Sequence, residues 1–215
     1  GDTTIAFVQD LYSFSEDAGT VLVTVTRLQA ASTPRTAVTA VVTTSTGSGL
    51  PAIGGSACQS GEVLACGTTD KVDYREFTGR VVEFLTNDPS DQALIPIEIC
   101  QDQLYEAETR VKMTLGTPSP SSSVSVTGPL ARRVAEVAIV DDGDAGTVHF
   151  TSTSFSVAEN AGQATVTITR VGGSSCEASL KISSEDGTAS ADTFDYTSVT
   201  EGTFAMADHQ TVATF

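Results

Sequence analysis

The chain repeats itself. FVQDLYSFSEDAGTVLVTVTR (7–27) aligns without a gap on FTSTSFSVAENAGQATVTITR (150–170), setting Phe7 on Phe150, Glu16 on Glu159, Gly19 on Gly162 and Arg27 on Arg170. Self-similarity at this period means two units of one fold in tandem. A second landmark pair, Asp73-Tyr74 and Asp195-Tyr196, lies 122 rather than 143 positions apart, so the first copy holds 21 extra residues. They fall around GSGLPAIGGSACQSGEVLACG, near residues 46–68. By the shorter offset Phe215 matches about residue 93 of the first copy, and the stretch from Leu94 to Asp142 has no partner in the second. The expected units are therefore 1–144, complete and carrying a Cys-containing insertion, and 145–215, the front part of a second unit. DDGDAGTVHF leaves almost no linker between them. A clipped fragment, an unseen remainder, or strands supplied by a neighbouring molecule would each account for the short copy.

The local pattern is all-β. VLVTVTR, AVTAVVTT, RVVEFL, LIPIEI and VAEVAIV are short, rich in β-branched residues and partly alternating, with Gly, Pro, Ser or Asp clusters between them. No long amphipathic helix is indicated. Many short strands joined by polar turns favour antiparallel sandwiches over a parallel sheet, which would need crossover helices.

Charge narrows the partners. Against 27 Asp+Glu the 215 residues hold only 11 Lys+Arg, a formal net charge of −16. Such a surface does not suit a nucleic-acid backbone or an anionic membrane. No apolar run approaches the ~20 residues of a spanning helix, and no secretory signal pattern opens the chain, which reads as a mature protein or an excised piece. Acidity of this order suits divalent cations if the carboxylates converge, and mere solubility if they do not. Four cysteines allow three full pairings. A local Cys58–Cys66 disulfide across CQSGEVLAC is the favoured one and implies an oxidising compartment; unrelated thiols in a cytosolic chain are the alternative. A zinc site lacks both the spacing and the histidines, since only His149 and His209 are present.

Several segments together resemble the Calx-β module, known from sodium–calcium exchangers, an integrin β subunit and large extracellular adhesion proteins. SFSEDAG and SVAENAG are similar to its opening strand and turn. SEDGTA with Asp195-Tyr196 and EGTF is similar to its central signature, while CQDQLYEAE and VAIVDDGD resemble its strand-end acidic motifs. The resemblance spans nearly the whole chain and implies two tandem immunoglobulin-like antiparallel β-sandwich modules, the second incomplete at its C-terminal end. It also implies Ca²⁺ in the loops at one end. By that resemblance the ligands in the first module are Glu16, Asp102, Glu106, Glu108, Asp141, Asp142 and Asp144, and in the second Glu159 and Asp186. This sequence departs from the pattern where Cys100 and Gln101 precede Asp102, and the Glu106–Glu108 spacing is one residue short. The DGTA aspartate, Asp186 in the second copy, has no clear counterpart in the first, where Asp70 or Asp73 would have to substitute. Seven carboxylates at one end would repel one another, and a cation would relieve that repulsion and stiffen the junction between modules.

No nucleophile elbow, zinc-protease helix, phosphate loop or dinucleotide fingerprint is present, and the lack of Trp argues against a sugar cleft. The reading is a non-catalytic extracellular or cell-surface structural and adhesion repeat, possessing other protein modules as partners. The alternatives are a calcium-sensing module of a membrane transporter and a homo-assembling subunit whose second domain is completed by a neighbour's strands.

Overall fold

The structure, a computed structural model, describes residues 3–30, 34–58, 66, 71–121, 124–126 and 132–215. Two compact units emerge, residues 1–102 with 106–142, and residues 103–105 with 143–215.

The first unit is a sandwich of two sheets. One orders β10 (Val124–Ser125), β1 (Thr3–Phe7), β3 (Thr20–Leu28) and β8 (Gln92–Glu98). The other orders β2 (Leu11–Ser15), β11 (Val134–Val140), β9 (Thr109–Leu115), β4 (Val38–Thr46) and β7 (Thr78–Phe84). Alternation in the sequence becomes alternation in burial. Val21, Val23 and Val25 of β3, Val38, Ala40 and Val42 of β4, and Val111, Met113 and Leu115 of β9 all point inward. They meet Phe7, Phe84, Ile95 and Ile97 in one core, whose burial supplies the main driving force for this unit.

The same alternation carries β3 one step further, to Arg27, whose side chain is fully buried. Its guanidinium donates to Asp91 Oδ1 (3.1 Å) and to the carbonyls of Thr36, Leu85, Asp88 and Ser90, and lies over the Phe84 ring. Every hydrogen bond lost to water is thus replaced, which is the condition for burying a charge.

The insertion folds back on the sandwich. β5 (Gly54–Gly55) pairs in parallel with β6 (Tyr74–Arg75), and Cys58 is bonded to Cys100, 42 residues away, with 5.2 Å between their Cα atoms. This corrects the expected Cys58–Cys66 bridge. The loop is not stapled at its own base but clamped to the end of β8, because the short β5–β6 pairing carries Cys58 toward that strand. No cysteine among the described residues is free.

The second unit repeats the opening of the first. β12 (Thr147–Phe150), β13 (Thr167–Val171) and β16 (Val212–Thr214) form one sheet, and β14 (Ala178–Ile182) pairs with β15 (Gly202–Met206). Its buried core is small, centred on Ile168, Met206 and Ala213. An apolar groove of about 330 Å³ opens beside it, lined by Val148, Phe150, Leu180 and Phe215 among others. Residues 154–158, which match β2, form no strand.

Candidate metal centre

Strand register brings four chain segments to one end of the first unit. β2 and β11 run parallel and finish together, Ser15 opposite Val140, so Glu16 and Asp141 leave neighbouring strands at the same level. The start of β3 lies against the end of β8, Thr20 opposite Glu98, which delivers the loop after β8 to that end as well. The fourth segment, residues 71–73, is pinned beside them. Cys100 N–H donates to the Asp73 carbonyl (2.9 Å), and Ile53 N–H donates to Asp73 Oδ2 (2.6 Å).

Glu16 opens a 3-10 turn, Glu16–Ala18, closed by Gly19 at a φ of +66°, where a side chain would be strained. The turn aims Glu16 inward, leaving it 2 % exposed, and its Oε1 accepts the Asp102 N–H at 3.0 Å. Glu106 N–H donates to Asp141 Oδ1 (3.0 Å), tying the loop after β8 to the end of β11. Carboxylate oxygens of Glu16, Asp102 and Glu106 lie within 4.8 Å of one another.

Among them sits a lysine that sequence reasoning missed. Lys71 is 3 % exposed. Its Nζ donates to Asp102 Oδ2 at 2.6 Å and contacts Glu106 Oε2, and it lies 3.5 Å from Asp73 Oδ1 and 4.0 Å from Glu16 Oε1. Asp73 Oδ1 is buried and has no hydrogen bond of good geometry. Burial, then the nearby Asp102 charge, push the Glu16 carboxyl up to about 8 against the pull of Lys71. Burial likewise raises Asp73 and Glu106 above the usual carboxylate range. Burial disfavours the Lys71 ammonium, but its hydrogen bonds to Asp102 and Glu106 outweigh that cost and hold it above the ordinary lysine range.

The expected ligands divide accordingly. Glu16, Asp102 and Glu106 converge, with Asp141 tied to the Glu106 backbone and Asp73 joining them. Asp142 accepts from Gln101 Nε2 at 3.2 Å. Glu108 turns instead to Arg110, 2.7 Å away, which also pairs with Glu136. Asp144 belongs to the second unit, where its carbonyl accepts the Ser175 N–H. Glu159 occupies the matching 3-10 turn there but is exposed. Asp186 organises its own loop, accepting from Tyr196 Oη (2.6 Å), Ser190 Oγ (2.7 Å) and Ala191 N–H (3.0 Å); the Tyr196 hydroxyl, with these partners, lowers its pKa. Asp70 and residues 59–65 and 67–68 of the insertion lie outside the described residues. Two features of the sequence carried Lys71: it stands two residues before the Asp-Tyr landmark, and the chain contains only two other lysines, Lys112 and Lys181.

The donor set fits Ca²⁺ by its chemistry. Hard carboxylate oxygens up to 4.8 Å apart can surround an ion that prefers oxygen at about 2.3–2.6 Å. Glu16, Asp102 and Glu106 would hold it, with Asp73 and Asp141 adjacent. Bound there, such an ion would supply positive charge and cross-link the loops.

A profile of the Calx-beta domain matches residues 2–53, 67–143 and 141–205. No curated protein sequence matches the chain. Among solved structures, CBD12 from CALX1.2 aligns with a TM-score of 0.51 at 21% identity, covering 98% of this chain and 72% of that one. Calcium binding domain CBD12 of CALX1.1 aligns with the same score and identity over 98% and 73%. At that identity the likeness speaks for the fold alone, while the profile covers most of the chain, copy after copy. The chain belongs to the Calx-beta domain family, with its modules in tandem.

Proposed function

We propose that this chain is a non-catalytic structural repeat of an extracellular or cell-surface protein, and that the acidic end of its first module holds Ca²⁺. The observation that carries the cation is the convergence of Glu16, Asp102 and Glu106 from two loops, their oxygens within 4.8 Å, with Asp73 buried beside them. The Cys58–Cys100 bond supports an oxidising compartment and favours the structural repeat over a sensor facing the cytosol. A bound divalent ion would brace the turn after β2 against the loop after β8, so metal would act through stiffness rather than chemistry.

Thermal melting of the whole chain tests this. Millimolar Ca²⁺, compared with chelator and with equal Mg²⁺, should raise the Tm, since a hundredfold excess over Kd adds ~2.7 kcal/mol. Asp102→Asn should abolish the rise. A Tm indifferent to Ca²⁺, or a rise that survives in Asp102→Asn, defeats the calcium reading.

A further inference from the structure

We infer that Lys71 is a tethered cation standing where a metal ion would sit in the first module, so that Ca²⁺ enters only by exchange with its ammonium. The inference rests on the cation reading of this acidic end and concerns how access to it is controlled.

Three observations carry it. First, Nζ is within 4.0 Å of carboxylate oxygens from four residues, Glu16, Asp73, Asp102 and Glu106, and two of them it touches at hydrogen-bonding range or closer. These include the three residues whose oxygens converge for a metal. An ammonium and a divalent ion bound to the same oxygens would be only about 3 Å apart, where like charges repel too strongly to coexist in a buried site. Occupancy is therefore exclusive.

Second, the lysine is delivered by a braced segment. Asp73, two residues on, is fixed through its carbonyl by Cys100 N–H and through Oδ2 by Ile53 N–H, and Cys100 is itself cross-linked to Cys58. The ammonium thus competes intramolecularly, at an effective concentration a dissolved ion must exceed. Asp73 Oδ1, buried without a well-formed hydrogen bond, marks where one positive charge leaves the set of acids incompletely satisfied.

Third, the repeat supplies an internal control. The residue two before the Asp-Tyr landmark is Thr193 in the second copy, and there Thr193 Oγ1 donates to Asp195 Oδ2 at 2.8 Å. The same backbone position serves as an ordinary loop hydrogen bond in one copy and as a buried counter-ion in the other. Lysine at this position is a property of the first module, not of the fold.

The experiment compares the wild-type chain with Lys71→Met, using Ca²⁺ as the probe. In chelator Lys71→Met should melt below wild type, because its carboxylates lose their counter-ion; Ca²⁺ should restore it. By calorimetry the variant should bind Ca²⁺ on the order of tenfold to a hundredfold more tightly than wild type. Amine acetylation of the wild-type chain, read by mass spectrometry, needs no variant. Without metal, Lys71 should react at least about tenfold more slowly than exposed Lys181, and saturating Ca²⁺ should release it to react. Equal Ca²⁺ affinity in the two proteins, or Lys71 still protected at saturation, overturns the exchange while leaving the calcium reading intact. Binding by Lys71→Met alone sustains the tethered cation and overturns calcium loading of the native chain. If neither protein binds Ca²⁺, the calcium reading falls, and free reaction of Lys71 in chelator removes the tethered cation as well.

Discussion

Phe7 and Phe150 occupy the same place in two copies of one sequence, yet the first is fully buried and the second is 63% exposed. Glu16 and Glu159 likewise open identical 3-10 turns, each closed by a glycine at positive φ, but Glu16 is buried among acids and Glu159 faces solvent. β2 pairs along β11, whereas its counterpart at 154–158 pairs with nothing among the described residues. Arg27 and Arg170 break this trend, since both are buried. Arg170 donates to the carbonyls of Ser175 and Cys176, five and six residues on, and to that of Ala145, 25 residues back. Features closed by local backbone survive in both copies. Features that need β8, β9 and β11 exist only where those strands do, because burial is a long-range property.

The largest expected effect comes from the arginines. Arg27→Ala removes a fully buried side chain and leaves four carbonyls without their donor, while Arg35 still holds Asp91 (2.9 Å), so the cavity and the lost hydrogen bonds should destabilise the first module by about 3–5 kcal/mol. Arg170→Ala removes bonds to neutral carbonyls only and should cost about 1–3 kcal/mol. Urea unfolding followed by hydrogen exchange separates the modules; equal losses would show that the two arginines do the same job. Next is Phe7→Ala, expected to cost about 3 kcal/mol through the cavity it leaves. Phe150→Ala should stay below about 1 kcal/mol, as for other exposed sites. A large loss at Phe150 would mean that its face is covered in solution.

A further effect depends on pH. In metal-free buffer Glu16 binds its proton more tightly folded (about 8) than unfolded (4.5). Its contribution is therefore complete below pH 4.5 and is lost as pH rises through about 8. Asp73 and Glu106, raised for the same reason, add to it in the same direction. Glu16→Gln should flatten the profile of stability against pH between those values. A wild-type profile already flat there would show that the acids are neutralised by something other than protons and Lys71.

The alternation of β3 and the Gly-closed turn after β2 were legible because they depend on neighbours one to four positions away. Arg27 could have been read as buried, since it continues the inward series Val21, Val23, Val25 and recurs at Arg170. Convergence of Glu16, Asp102 and Glu106 followed from the family resemblance. The outward turn of Glu108 did not, because Arg110 competes for it. Nor did the disulfide, since the partner of Cys58 depends on how the insertion crosses the sandwich.

By itself, then, the sequence determined a tandem all-β chain with two copies of one opening motif and a surplus of acid at strand ends. Period-two patterning and turn chemistry are local, and repetition makes them visible twice. Tertiary structure alone decided which acids are buried, that Cys58 reaches Cys100, and that Lys71 lies among the carboxylates. Those outcomes depend on register between strands far apart in the chain, where a shift of one residue would turn each side chain to the other face.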